Sequence, residues 1–416
     1  MAKVLVVGSG GREHAIVDAL SRSSKVEKIF CAPGNAGIAR QAECVPIKDT
    51  DVTALKEFAL REKVDLTVVG PEAALSAGLA DEFRAAGLAV FGHTKAATRI
   101  ESSKEFAKRL MEKNGIPTAG YKSFTDYKEA LDYVSARPFP AVLKYDGLAA
   151  GKGVIIAENL SQAEDALKEM LLDEKFGQGK VVVEDYLEGP EFSYMCFVDG
   201  SRIYPMPPAQ DHKRAFDGDK GLNTGGMGAY TSLPFLKDED IKFSMECILQ
   251  KAADAMVAEG CPLCGVLYGG LMKTASGIKV IEFNARFGDP ETEVVLPLMD
   301  SDIYDVFAAV AQGKPAPEIT WSKDITMGVV LASKGYPGSY DKGHEIVCRP
   351  CEGHIYHMGT KMADGRLVTA GGRVMMCVAR ASQLSDARRQ AYALVDSVEC
   401  DNLFHRNDIA HIAFNE

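Results

Sequence analysis

The sequence has no apolar run of membrane length, no basic stripe, no internal repeat and no low-complexity tract. The first absence argues against a helical membrane span, which takes about 20 consecutive apolar residues. The second removes the electrostatic footprint of a protein that tracks a nucleic-acid backbone. Lys and Arg number 47 against 58 Asp and Glu, a net charge of −11, so neither nucleic acid nor membrane is an expected partner. A small anionic substrate remains compatible, because a local pocket can be positive within an acidic whole. Without repeats, solenoid and propeller architectures drop out. No basic, apolar leader opens the chain, and the cytoplasm is the expected compartment. Zinc-ribbon spacing is lacking too. Two Cys-x-x-Cys pairs exist, Cys261/Cys264 and Cys348/Cys351, but they are far apart in the chain. Most of the ten cysteines sit in apolar or strand-like context, where a reduced thiol packs as a small hydrophobe.

What is present is a chain of 416 residues, enough for two to four domains. Residues 2–8 read as a buried parallel strand, followed by a turn at 9–14 and a helix from Ala15. Further strands are predicted at 28–32, 66–70 and 88–91 with amphipathic helices between them. This βαβ alternation implies an open parallel sheet, with ligands at its carboxyl ends. Those ends carry glycine-rich turns at Gly8–Glu13, Gly34–Gly37 and Gly70–Glu72. A second unit begins with a capped helix near Ser102. Strands at 140–144, 154–157 and 180–187 and a helix at 161–172 describe a small α+β lid. The segment 313–318 reads as a linker, and the end of the chain is strand-rich with a closing helix at 384–397. The expected domains are 1–103, 104–312 with a lid at about 122–189, and 324–416. The fold class is α/β and α+β, multidomain.

Four stretches carry chemistry. Gly8-x-Gly10 suggests a dinucleotide site, but Glu13 stands where a small residue is needed for close helix–strand packing. Phosphate binding at the helix N-terminus survives that loss, with Arg12 as a fork donor. Residues 147–153, Gly-Leu-Ala-Ala-Gly-Lys-Gly, fail the Walker A spacing, yet such a loop can fold over a triphosphate or be a mere hairpin. Residues 210–230 run from Gln-Asp-His-Lys-Arg to a glycine-rich end and read as a long functional loop, with Asp211 suited to an amine and Lys213 and Arg214 to phosphate. His212 reads as a solvated loop histidine without a role. Residues 279–292 are the richest. They start as a strand in which Glu282, Asn284 and Arg286 share one face and Ile281, Phe283 and Ala285 the other. Two oxygen donors beside a guanidinium suit a hard cation with an anion next to it. A solvated strand face is the plainer alternative.

Taken together these stretches resemble the ATP-grasp ligases, and among them the phosphoribosylamine–glycine ligases of purine biosynthesis. The resemblance spans nearly the whole chain in order, and its most specific pieces are Asp211-His-Lys-Arg214 and Gly225-Gly-Met-Gly-Ala-Tyr230. It implies an N-terminal α/β domain, an ATP-grasp core with a lid, and a C-terminal domain. It implies ATP with Mg²⁺ or Mn²⁺ as cofactors, glycine and 5-phosphoribosylamine as substrates, a glycyl phosphate intermediate, and a monomer. Lys104, Lys144, Gly151 and Gly153 would hold the phosphates. Glu184 and Leu187 would line the adenine hinge and Glu191 would take the ribose. Glu282 and Asn284 would hold the metal. Arg286 and Asp211 would grip the glycine carboxylate or transferring phosphoryl group and the glycine amine. Gly10, Gly11, Arg12, Glu13, Asn35, Glu72, Lys213, Arg214, Gly225, Gly226, Gly288 and Asp289 would face the substrates. The chain departs from the family pattern at Ala74, His93, Tyr145, Glu293 and His411. Glu293, in place of a usual glutamine, adds a charge beside the site. A related ligase with another acceptor and a non-catalytic nucleotide sensor are the competing readings; product analysis separates the first, and ADP release the second.

Overall fold

The computed structural model describes residues 1–147, 153–173 and 179–414. The N-terminal sheet is wholly parallel. Its central strand Ala2–Gly8 is flanked by Val26–Pro33 and then Glu43–Cys44 on one side, and by Leu66–Val69 and then Val90–Phe91 on the other. Valines and leucines at 4–7 are buried on both faces, as a parallel strand between helices requires. The order reverses at the central strand, so the turn after Gly8 opens at the switch point.

The lid is a four-stranded antiparallel sheet of Tyr121–Phe124, Val181–Asp185, Ala141–Tyr145 and Val154–Ala157. The helices Tyr127–Ser135 and Leu160–Leu171 complete its separate small core. Asp126 and Asn159 cap them through Glu129 N at 2.9 Å and Gln162 N at 3.1 Å.

The largest sheet has ten strands and joins the rest of the molecule. Gly277–Asn284, Cys264–Thr274 and Glu191–Asp199 form one end. Gly228–Thr231 leads across to Ile325–Ser333 and Arg373–Ala381 at the other. Residues 210–230, expected as a patternless loop, contain the strands Ala209–Asp211, Arg214–Phe216, Lys220–Asn223 and Gly228–Thr231. Three- and four-residue strands of mixed charge give too few alternations to be recognised. His212 is accordingly not solvated. It is 3% exposed, its Nε2 accepts from Ala410 N at 3.2 Å, and burial pulls its pKa down to about 3.

Candidate functional site

The strand Gly277–Asn284 departs from simple alternation at one point. Its register with Cys264–Thr274 shifts between Glu282, opposite Gly270, and Val280, opposite Leu271, which leaves Ile281 as a bulge. Ile278 and Val280 face the core before it; Phe283 and Ala285 face the core after it. Ile281 was expected on the core face with them. It instead lines the cleft, and its carbonyl accepts from Lys144 Nζ at 3.0 Å. The bulge re-aims Glu282 and Asn284 into a cavity of about 170 Å³ between lid, core and N-terminal domain.

The cavity gathers Glu72, Lys104, Lys144, Gly153, Glu184, Glu282, Asn284 and Arg286 from distant parts of the chain. Lys104 Nζ donates to Gly147 O at 3.0 Å, at the mouth of the lid loop. Gly151 lies outside the described residues. Burial pushes the Glu282 carboxyl up, but Lys213, Lys144, Lys104 and Arg286 outweigh it and hold Glu282 below the usual carboxylate range. Arg286 is enclosed by acids: its Nε is 3.3 Å from Glu101 Oε1 and 3.6 Å from Glu72 Oε2. Burial works against its charge, and these two carboxylates more than restore it. Its Nη2 donates to Asn284 Oδ1 at 3.0 Å.

A second group adjoins this one. Lys213 Nζ pairs with Glu191 Oε2 at 2.7 Å, and both act electrostatically on Asp211. Burial raises the Asp211 carboxyl to about 7; Lys213 lowers it, while Glu291 and Glu191 raise it. Glu291 is itself fixed by Tyr268 OH at 2.5 Å and Ser193 Oγ at 2.8 Å. Leu187 is half-buried and does not line the cavity.

The third group surrounds the first helix, Gly11–Ser21. Gly10 N donates to Glu13 Oε2 at 2.6 Å, and Arg12 Nε to Glu13 Oε1 at 2.6 Å. Arg12 Nη1 and Arg286 Nη1 donate to the same carbonyl, Phe287 O, at 3.1 and 3.2 Å. From the last domain, Arg373 Nη1 reaches Asp289 Oδ1 at 2.9 Å, Asp289 O at 3.0 Å and Gly225 O at 2.8 Å. Gly226 and Gly288 leave no room for side chains: a Cβ would meet Pro290 Cδ at 2.4 Å and Glu291 Oε2 at 2.4 Å respectively. Gly11 is pressed by Glu293 in the same way, at 2.3 Å. Asn35 is saturated by protein. It donates to Ser9 O and His357 O at 2.8 Å and accepts from Gly37 N and Ile38 N. Arg214 Nη1 donates to Gly221 O at 2.8 Å within its hairpin.

Sequence reasoning passed over Glu101, Lys108, Glu291, Tyr268 and Arg373. Lys108 alone carried a signal, since it lies four residues after Lys104 on the helix Lys104–Lys113 and so on the same face.

Three family models match: the phosphoribosylglycinamide synthetase N domain over residues 2–101, its ATP-grasp (A) domain over 102–292, and its C domain over 326–412. The chain belongs to the phosphoribosylglycinamide synthetase family. The phosphoribosylamine–glycine ligase of Halalkalibacterium halodurans is 49% identical over 99% of this chain and 97% of its own length. That of Listeria innocua is 49% identical over 98% of each. The solved phosphoribosylamine–glycine ligase of Thermotoga maritima is 34% identical, with a TM-score of 0.87 over 98% of this chain and 99% of that one. At 14% identity and a TM-score of 0.75, the biotin carboxylase domain of Hydrogenobacter thermophilus 2-oxoglutarate carboxylase shares the fold. This chain is an ATP-grasp ligase, a class that works with ATP and a divalent metal.

Proposed function

We propose that this ligase joins glycine to 5-phosphoribosylamine, converting ATP to ADP and phosphate through a glycyl phosphate. The observation that carries the reading is the cleft in which Glu282, Asn284 and Arg286 meet Lys104 and Lys144. Forming an acyl phosphate brings two anions together, the glycine carboxylate and the γ-phosphate. The protein's task is to hold them and offset their repulsion, and here four cations, Lys104, Lys108, Lys144 and Arg286, line one small cavity.

The donor set fits Mg²⁺ or Mn²⁺. Glu282 is ionised for the electrostatic reasons given above, and a carboxamide oxygen keeps a second lone pair after accepting from Arg286. Two protein oxygens are what a hard cation takes when nucleotide phosphates complete its shell. Among the described residues no group of three or more His, Cys, Asp or Glu forms a protein-only cage. When bound, the metal neutralises phosphate charge.

Arg286, kept charged and oriented by Glu101 and Glu72, receives the glycine carboxylate or the transferring phosphoryl group. Asp211 takes the glycine amine. An arriving ammonium favours the ionised form of a carboxyl that burial has raised to about 7. The phosphoribosyl half faces the helix that starts at Gly11, beside Arg12 and Arg373, whose fork donors suit phosphate. The acceptor amine then attacks the acyl carbon, phosphate departs, and no side chain becomes covalently linked.

The deciding assay is ADP formation that requires both glycine and phosphoribosylamine. Glu282→Ala is expected to abolish it. Undiminished turnover of that variant at saturating Mg²⁺ sinks the metal assignment, and ADP formation without glycine sinks the reaction.

A further inference from the structure

The cleft holds a second buried lysine that the reaction scheme leaves without a task. Lys108, on Lys104–Lys113, is 2% exposed. Its Nζ lies 2.8 Å from Glu184 Oε2, while Lys144 Nζ lies 3.0 Å from Glu184 Oε1. Lys108 also donates to Thr118 Oγ1 at 2.8 Å and stands 5.7 Å over the Tyr121 ring. One carboxylate is therefore shared by two ammonium groups, and the trio has a net charge of +1.

An ion pair this deep is poorly screened, so the sharing has consequences. Without Lys108, Glu184 is free to pair with Lys144 alone, and the trio becomes neutral. With Lys108 in place, one oxygen of Glu184 is engaged elsewhere and Lys144 retains charge for an incoming anion. Lys144 Nζ donates to the bulge carbonyl of Ile281 and lies at ion-pair distance from this carboxylate.

We propose that Lys108 is a positioning residue for nucleotide binding: by holding Glu184 it prevents Lys144 from being neutralised and keeps one net positive charge facing the polyphosphate. This rests on the reading of the cleft as the ATP site. A pH signature accompanies it. Desolvation lowers Lys108 to about 8; Glu184 and Asp185 hold its proton on and Lys144 pushes it off. These are the strongest charges acting on Lys108, with Lys104, Glu101 and Glu282 lining the same cavity and Thr118 and Tyr121 uncharged, and the trio's surplus charge is lost as pH rises through that value.

The test uses the full chain and MgADP as probe, with affinity read by calorimetry at pH 7. Lys108→Met is expected to weaken ADP binding by roughly tenfold, about 1.4 kcal/mol, and to leave KM for glycine unchanged. Adding Glu184→Gln to Lys108→Met returns the net +1 and is expected to recover most of the affinity. A merely structural role predicts the opposite, because a second buried change deepens the damage. Between pH 7 and 9 wild-type affinity falls more steeply than that of Lys108→Arg, which stays charged; this comparison stands even where the Met variant fails to fold. Equal ADP affinity in wild type and Lys108→Met, no recovery in the double variant, or parallel pH profiles for wild type and Lys108→Arg overturns the proposal. Failure of the wild type to bind ADP overturns the cleft assignment instead.

Discussion

Glu293 is fully buried, and neither of its carboxylate oxygens has a hydrogen-bond partner among the described residues. Burial drives its pKa well up, Asp289 and Glu291 add to the rise, and Arg373 opposes it. An acid with a higher pKa in the fold than in the unfolded chain binds its proton more tightly when folded. That advantage is complete below the unfolded value, about 4.3, and is lost as pH climbs towards the folded one. Glu293→Gln removes the titration and keeps the shape. Its Tm is therefore expected to exceed that of wild type by a margin that widens from pH 5 to pH 8. Scanning calorimetry across that range reads the margin directly. A margin that is constant with pH removes the titration from the account. This residue was legible as a departure from its family, since one letter betrays a new charge. Glu101 and Arg373 were not. Each matters because it meets Arg286 or Asp289 across domains, and no local pattern marks a residue whose partner is far along the chain.

At the scale of elements, the turn after the first strand is built around Glu13. Its carboxylate bonds Gly10 N and lies against Gly8 and Gly70, where a Cβ on Gly70 would stand 1.9 Å from Glu13 Oε1. The backbone of Gly70 is one that any residue adopts, so contact with Glu13 is the specific obstacle. Gly70→Ala is expected to lower stability by about 1–3 kcal/mol, the usual range for overpacking. In a Glu13→Ala background the same change is expected to cost much less, because the space is then open. Equal costs in both backgrounds, measured by urea unfolding, show that Glu13 is not the obstacle. The sequence signal here was negative: Glu13 spoiled a dinucleotide fingerprint, and the structure shows its carboxylate bonded to Gly10 N at the helix start. The parallel strands were legible because unbroken Val and Leu runs have few other homes. The bulge at Ile281 was not. A one-residue shift of register leaves every residue type unchanged and reverses which of them face the cleft.

At the scale of the whole molecule, the segment at 313–318 reads as a linker, yet the ten-stranded sheet runs across it. Gly228–Thr231 is hydrogen-bonded to Ala209–Asp211 on one side and to Ile325–Ser333 on the other. Such pairing is invisible in the sequence, because partner strands are joined by no hairpin and share no motif. The same apolar cluster takes Phe192, Leu267 and Phe283 from before the segment and Val329, Leu331 and Met375 from after it. Arg373 further closes the turns at Gly225 and Asp289. A chain ending at residue 312 therefore loses one wall of a core and bares the edge of Gly228–Thr231, an invitation to pair with another chain. Such a fragment is expected to aggregate on size-exclusion chromatography and to bind no MgADP, although every cleft residue named above precedes the cut. Supplying residues 313–416 as a separate chain during refolding is expected to recover soluble material, since the missing contacts are strand pairing and apolar packing rather than covalent linkage. A soluble 1–312 fragment that unfolds cooperatively and binds MgADP defeats this view of the sheet, and makes the last domain an accessory to a core that stands without it.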